Sequence, residues 1–277
     1  MKLNLSILAG ALALAVAGQA NAALVDTNAA NGSDLILSVW NATTGASFVE
    51  DLGISSAALI DQTTLNNVVS PLPSTVAPGA QLNANTAGTA ALASILAGGT
   101  SGFQWNVTAG NTATQTWLST ATAGTTAATV GKQVDTQTIA GLGNYQTYLA
   151  NVNLVATGAQ TYASTTGSAS TAYAGQNNFG ANWSGQATFN TTAAVGTKSD
   201  FWYITTNGSG ALGQTSTVQQ FVNNGAATPL QLVLNTNGVV SVAAVPEPSE
   251  WLLMLSGFGL VGFIASRRKS RSSMSIA

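Results

Sequence analysis

The chain has 277 residues, with no cysteine, no histidine, seven lysines and arginines together, and nine acids. Without histidine or cysteine there is no histidine general base, no Ser-His-Asp or Cys-His nucleophile, and no His- or Cys-ligated zinc, copper or haem, so neither enzymatic activity nor a cofactor or metal is expected. Five of the seven cations lie in the two terminal segments, which leaves only Lys132 and Lys198 in the body; neutralising phosphates needs clustered Lys and Arg, so nucleic acid is excluded as a partner.

Lys2, an apolar stretch from Leu5 to Ala17 and the small-x-small triplet Ala20-Asn21-Ala22 are the three parts of a secretory signal peptide over residues 1–22, with cleavage expected after Ala22. An exported chain without cysteine has no disulfides, and its stability must come from packing and backbone pairing. Residues 23–244 are then one domain with enough chain for its own core. Thr, Ala, Asn, Ser and Gly take the place of charge along it. Such a hydroxyl- and amide-rich surface suits a hydrated polysaccharide matrix.

Within this body, Asp34 to Trp40 is rich in β-branched and aromatic residues and reads as a strand. Asn41 to Gly45 supplies a turn and Ala46 to Glu50 the returning strand of a hairpin. Ser55 to Ile60 reads as a short helix capped by Ser55 or Ser56, and Pro71, Pro73 and Pro78 mark a loop. Thr86 to Ala97 carries Leu92, Ile95 and Leu96 at helical spacing before Gly98-Gly99, a helix with a glycine stop. Phe103 to Val107 alternates as a half-buried strand does, and a second strand is expected near Thr116 to Thr120. Val134 to Leu154 has helical spacing interrupted by Gly141 and Gly143. Tyr162 to Asn190 reads as long loops or short strands. Asp200 to Thr205 is the most strand-like segment, and Leu230 to Leu234, Thr236-Asn-Gly238 and Val239 to Ala243 read as another hairpin. The expected fold is mainly β with some helix (α+β), a β-sandwich-like exported domain.

The segment 245–271 joins three pieces. Pro246-Glu247-Pro248 fixes φ at two of three positions and removes two backbone donors, so it is extended and presents its carboxylate. An uncharged apolar run from Trp251 to Ala265 reads as a membrane helix over 251–266, although fifteen residues reach only about 22 Å against a hydrocarbon core of about 30 Å. Arg267, Arg268, Lys269 and Arg271 follow as a basic stop that stays on the cytoplasmic side of the inner membrane and snorkels to extend the span. In this order the three pieces resemble the PEP-CTERM sorting signal of exopolysaccharide-producing Gram-negative bacteria. The resemblance implies that the membrane transpeptidase exosortase is a partner, that it recognises Pro246, Glu247 and Pro248, and that the mature protein leaves the inner membrane for the cell surface or medium. The competing reading is an ordinary anchor after a Pro-rich linker. The stretch DLILSVWNATTGASFVEDLG (residues 34–53) also resembles the opening hairpin of PEP-CTERM proteins whose bodies have no assigned activity.

Two residue sets in the body invite a sharper reading. Glu50 and Asp51 are adjacent carboxylates, but neighbours on a strand point to opposite faces, so they read as solvated charges at a hairpin end; a glycan hydrolase would need Glu50 to meet Asp61 or Asp200 across a cleft. Of the aromatics, Trp40, Trp105 and Trp202 lie in strong strands and read as core. Trp183, in the polar segment Asn182-Trp183-Ser184-Gly185, is the best exposed candidate for the glycan contact of a carbohydrate-binding adhesin, but packing is the preferred reading, because an isolated aromatic is usually buried on one face. The expected role is that of a structural protein of the surface or exopolysaccharide matrix, tied to biofilm or floc formation.

Overall fold

The computed structural model describes residues 24, 26–29, 31–61, 67–68, 76–83, 85–156, 162–175, 182–208, 212–222, 228–243 and 254–261. The chain divides into two compact units, Met1–Ala243 and Ala244–Ala277. The signal peptide, the proline loop at Pro71 and Pro73 and the Pro246-Glu247-Pro248 tripeptide lie outside the described residues.

The body is built on β1 (Asp34–Asn41), β2 (Ala46–Ser55), β3 (Ile60–Asp61), β4 (Asn67–Val68), helix α1 (Thr86–Leu96), β5 (Phe103–Asn111), β6 (Thr116–Thr122), α2 (Ala127–Val130), α3 (Asp135–Val155), β7 (Tyr162–Thr166), β8 (Ala193–Ala194), β9 (Lys198–Thr205), β10 (Thr217–Gln220), β11 (Gln231–Leu234) and β12 (Val240–Val242). Ten strands form one antiparallel sheet in the order β12-β11-β9-β6-β5-β1-β2-β7, with β10 beside β9 and β8 beside β5; β3 and β4 make a separate ribbon. The sandwich expectation is therefore replaced by a single sheet that curls. Its curl has a visible origin in the pairing. One edge of β9 is shared between β11, on residues 198–200, and β10, on residues 202–205. Strand β5 likewise gives residues 108–111 to β6 and residues 104–105 to β8.

Both faces of the sheet are covered, which is why β1, DLILSVWN, is buried along nearly its whole length and reads as a continuous apolar run. On one face Leu35, Leu37, Val39, Phe48, Leu52, Val107, Leu118, Phe201 and Tyr203 join Leu232, Leu234, Val240 and Val242 under Leu92 and Leu96 of α1. On the other, Ile36, Trp40, Val49, Trp117, Trp202 and Ile204 meet Leu142, Tyr145, Tyr148, Leu149 and Val152 of α3. The α3 face also carries a polar row, Ser38, Asn106, Thr108 and Ser119, all with no exposed surface. Buried Tyr and Trp need a partner for their polar tips, and part of this row supplies it: the Tyr148 hydroxyl lies 3.3 Å from Ser38 Oγ, and Tyr145 Oη donates to the Thr108 carbonyl at 3.1 Å.

The first hairpin is the expected one, and β5–β6 repeats its turn. Asn41 Oδ1 accepts from the amides of Thr43 and Thr44 at 2.9 and 3.1 Å, and Asn111 Oδ1 accepts from those of Ala113 and Thr114 at the same two distances. Each turn closes on a left-handed residue, Gly45 (φ 71°) and Gln115 (φ 51°). Helix α1 starts one residue after its cap, Asn85, whose Oδ1 accepts from Ala87 and Gly88. The short helix expected from Ser55 is a 3-10 turn, Ser56–Ala58, with Ser55 Oγ accepting from the Ala57 amide. One of the two glycines in α3 has a packing cause: a Cβ on Gly141 would come within 3.1 Å of the Trp183 ring, so glycine there admits the indole, whereas a Cβ on Gly143 would meet nothing within 4 Å. Similarly, a Cβ on Gly110 of β5 would stand 2.7 Å from Leu142 Cδ2, so glycine lets helix and sheet approach.

Of the second unit, residues 254–261 are helical and exposed throughout, with Met254, Leu255, Phe258, Leu260 and Val261 among them. Eight residues advance about 12 Å. No helix among the described residues is long and apolar enough to cross a membrane.

Candidate functional site

Among the described side chains, the acids of the body do not form a catalytic pair. Glu50 has no exposed surface and Asp51 only 5 %, so the expectation of solvated hairpin-end charges is corrected: the hairpin lies inside the sheet, covered on both faces. The two side chains do point to opposite faces, as strand geometry requires. Glu50 shares the α1 face with Phe48 and Leu52. Its Oε2 accepts from Asn83 Nδ2 at 2.8 Å, while Oε1 is buried without a hydrogen bond. A Cβ on Gly88, in the first turn of α1, would sit 2.7 Å from that Oε1. Burial pushes the Glu50 carboxyl up to about 7, with a smaller push from the charge of Asp51 and a pull back from the Asn83 hydrogen bond. Asp51, on the α3 face, accepts from the Gly53 amide at 2.7 Å. It also hydrogen-bonds Asp34, whose carboxyl is raised by burial and partly restored by that bond.

Asp200 cannot join Glu50. Strands β1, β5 and β6 lie between β2 and β9, about 19 Å at the usual strand spacing, and the two side chains are on opposite faces, against the roughly 5–9.5 Å that a glycosidase pair spans. Asp200 is instead bound to the Gly124 amide and Gln231 Nε2, each at 2.8 Å. Asp135 holds the start of α3 to the 207–216 loop through the Asn207 amide (3.1 Å) and Ser216 Oγ (2.9 Å). The side chain of Asp61 is outside the described residues. Among the described residues no three acids gather where a metal ion could be held.

Trp183 has no exposed surface, so the glycan-contact reading is corrected in favour of packing, the preferred one. Its ring centroid lies 4.0 Å from that of Trp117 and 5.8 Å from that of Phe189, and Nε1 donates to Ser119 Oγ at 3.3 Å. The indole reaches this depth because Trp183 (φ 52°) and Ser184 (φ 58°) are consecutive left-handed residues before Gly185 (φ 83°), a backbone costing of the order of 1–3 kcal/mol for each non-glycine residue. Trp40, Trp105, Trp117 and Trp202 are at most 3 % exposed, so no tryptophan among the described residues offers a platform for a sugar.

The inward turn leaves an open pocket of about 340 Å³ beside the buried indole, lined by Asn182, Ala187, Thr188, Phe189 and Asn190. Although irregular, its wall is pinned. Gln133, fully buried, donates from Nε2 to the Gln186 carbonyl (3.2 Å) and accepts at Oε1 from the Thr188 amide (3.0 Å). The Thr122 amide of β6 donates to the Asn190 carbonyl (3.0 Å), and Thr120 Oγ1 to that of Thr191 (2.9 Å). Sequence reasoning missed Gln133 altogether. Nothing local marks it, because both its partners lie more than fifty residues away.

The geometry thus defines a β body with no assembled catalytic group among its described residues and a second, C-terminal unit. The particular identity comes from that second unit. Residues 244–269 match the family model described as the PEP-CTERM protein-sorting motif, so the chain is a PEP-CTERM protein, and the motif implies export with a C-terminal anchor that exosortase processes. The match takes in Pro246, Glu247, Pro248, Arg267, Arg268 and Lys269; of these none is among the described residues, and neither are Arg271, Ala20 or Ala22. No curated protein and no solved structure matches the chain.

Proposed function

We propose that the mature protein is a non-enzymatic structural component of the cell surface or extracellular matrix, associated with exopolysaccharide in biofilm or floc. The observation that carries this reading is the sorting motif at residues 244–269. Two features of the body support it. Four of its acids, Glu50, Asp51, Asp135 and Asp200, are buried and tied into the structural contacts described above. Its two lysines, Lys132 and Lys198, are exposed on a surface rich in hydroxyls, amides and small residues, which exchanges hydrogen bonds with sugar hydroxyls as readily as with water. An adhesin working through exposed tryptophans is not favoured, since Trp183 and its companions are core.

Intact-mass analysis of the protein from the cell surface and medium tests the reading. A mass running from Ala23 to near Pro246-Glu247-Pro248, in material that co-fractionates with exopolysaccharide, is the expected result. A mass that keeps the Trp251 to Arg271 tail, in protein confined to the inner membrane, overturns it.

A further inference from the structure

We propose that the pocket formed by Asn182, Ala187, Thr188, Phe189 and Asn190 is a binding site for a single neutral sugar unit. This rests on the matrix reading above and gives it a specific contact.

The pocket's chemistry selects the ligand class. Among the described residues no ionisable side chain lines it, so an acidic or basic ligand would be desolvated there without a counter-charge. What the wall offers is two carboxamides, one hydroxyl and a small apolar patch from Ala187 and Phe189, each 6 % exposed, which suits a small molecule rich in hydroxyls. A volume of about 340 Å³ is at the small end of the roughly 300–1,000 Å³ typical of small-molecule sites, enough for one or two rings and too little for a long stretch of polymer.

The construction of the wall is the second observation. An ordinary surface loop of this composition would be free to move. Here Gln133 clamps residues 186 and 188, β6 clamps residue 190, and the left-handed turn at Trp183 and Ser184 sends the indole into the core, where it packs on Phe189 of the wall. Asn182 Oδ1 is committed to the Gly185 amide at 2.8 Å, and Asn190 Oδ1 to the Thr192 amide and hydroxyl at 3.0 and 2.9 Å. Both amides are thereby oriented, with exposed side chains. A pocket whose polar groups are already held spends little binding energy on ordering itself, and backbone strain retained beside a pocket is a mark of a functional site.

The test uses protein recovered from the cell surface, with isothermal titration calorimetry against two probes: neutral oligosaccharides from partial hydrolysis of the producer's own exopolysaccharide, and methyl glycosides of neutral hexoses. The variants are Thr188→Arg, which fills the pocket from an exposed position; Asn182→Asp, which keeps the acceptor for the Gly185 amide but adds a charge; and Thr43→Arg, a control on an exposed turn elsewhere. Wild type and the control should bind, and each pocket variant should bind about tenfold or more weakly. If Thr188→Arg does not fold, Asn182→Asp alone decides. Binding that survives both changes, or wild-type protein that co-fractionates with exopolysaccharide yet binds neither probe, overturns the pocket and leaves the matrix reading standing. Protein that neither binds nor co-fractionates overturns both.

Discussion

Glu50→Gln is the most informative substitution in the body, because one buried carboxyl should set a pH dependence of stability that is unusual in direction. The folded value near 7 lies above the ordinary 4.5, a difference worth about 3 kcal/mol in favour of the protonated form. Below pH 4.5 the group is protonated both folded and unfolded, and its stabilising contribution is fully present. Between 4.5 and about 7 the native chain keeps a proton that the unfolded chain has released, so stability falls as pH rises and the contribution is lost once pH passes the folded value. One effect opposes this. Glu50 Oε1 faces the first turn of α1, whose partial positive charge favours the carboxylate by about 0.3–1 kcal/mol and at most about 2. However, Asn85 Oδ1 already occupies the Ala87 and Gly88 amides there, and the body's two lysines are both exposed. Desolvation should win, leaving a net loss of roughly 1–3 kcal/mol from pH 5 to pH 8, or roughly 3–10 °C in melting temperature for a body of this size. Thermal unfolding followed by circular dichroism at pH 5, 6, 7 and 8 measures it. Glutamine keeps an acceptor for Asn83 and removes the titration, so the difference between variant and wild type isolates Glu50 from Asp34, whose raised carboxyl pushes in the same direction. The variant should match wild type near pH 5 and exceed it at pH 8. A variant less stable than wild type at pH 8, with the same pH slope, would show that Glu50 is a favoured carboxylate and refute the reasoning.

Three further outcomes follow from the packing and the tail. Gly88→Ala normally favours a helix by about 1 kcal/mol, but the new methyl would meet Glu50 Oε1 at 2.7 Å; a net loss of about 1–3 kcal/mol is expected from overpacking, and an increase in urea midpoint would contradict it. Asn106, buried with neither Oδ1 nor Nδ2 hydrogen-bonded among the described residues, should gain about 1–2 kcal/mol on conversion to the similarly sized Leu; a drop in the midpoint would show that the amide has a partner. Replacing Pro246-Glu247-Pro248 with three alanines should leave the tail attached, read as an intact mass that retains residues 251–271, whereas an unchanged mature mass would remove the tripeptide from recognition.

The periodic elements were legible in the chain. β1, β2, β5, β6, β9, the β11–β12 hairpin, α1 and α3 fall where alternation, helical spacing and turn residues place them, because each signal is carried by near neighbours. The misses have one character. β10 (Thr217–Gln220) and β8 (Ala193–Ala194) are too short and polar to announce themselves and exist because β9 and β5 offer an open edge. Glu50 and Asp51 read as surface charges from local polarity, yet the polarity around them faces other elements of the fold. Gln133 is a plain glutamine in the sequence and a clamp in the structure.

By itself the sequence determined the protein's address and its exclusions. Proline geometry, an apolar run and a cluster of cations act through contiguous residues, and the absence of His and Cys removes their chemistry whatever the fold. Only the tertiary structure decided that Glu50, Asp51 and Asp200 are buried apart, that Trp183 packs on Trp117 and that an irregular stretch is pinned around a pocket. The physical reason is that burial and clamping depend on residues brought together from positions such as 50 and 83, or 133 and 188, and no local pattern encodes a meeting across that much chain.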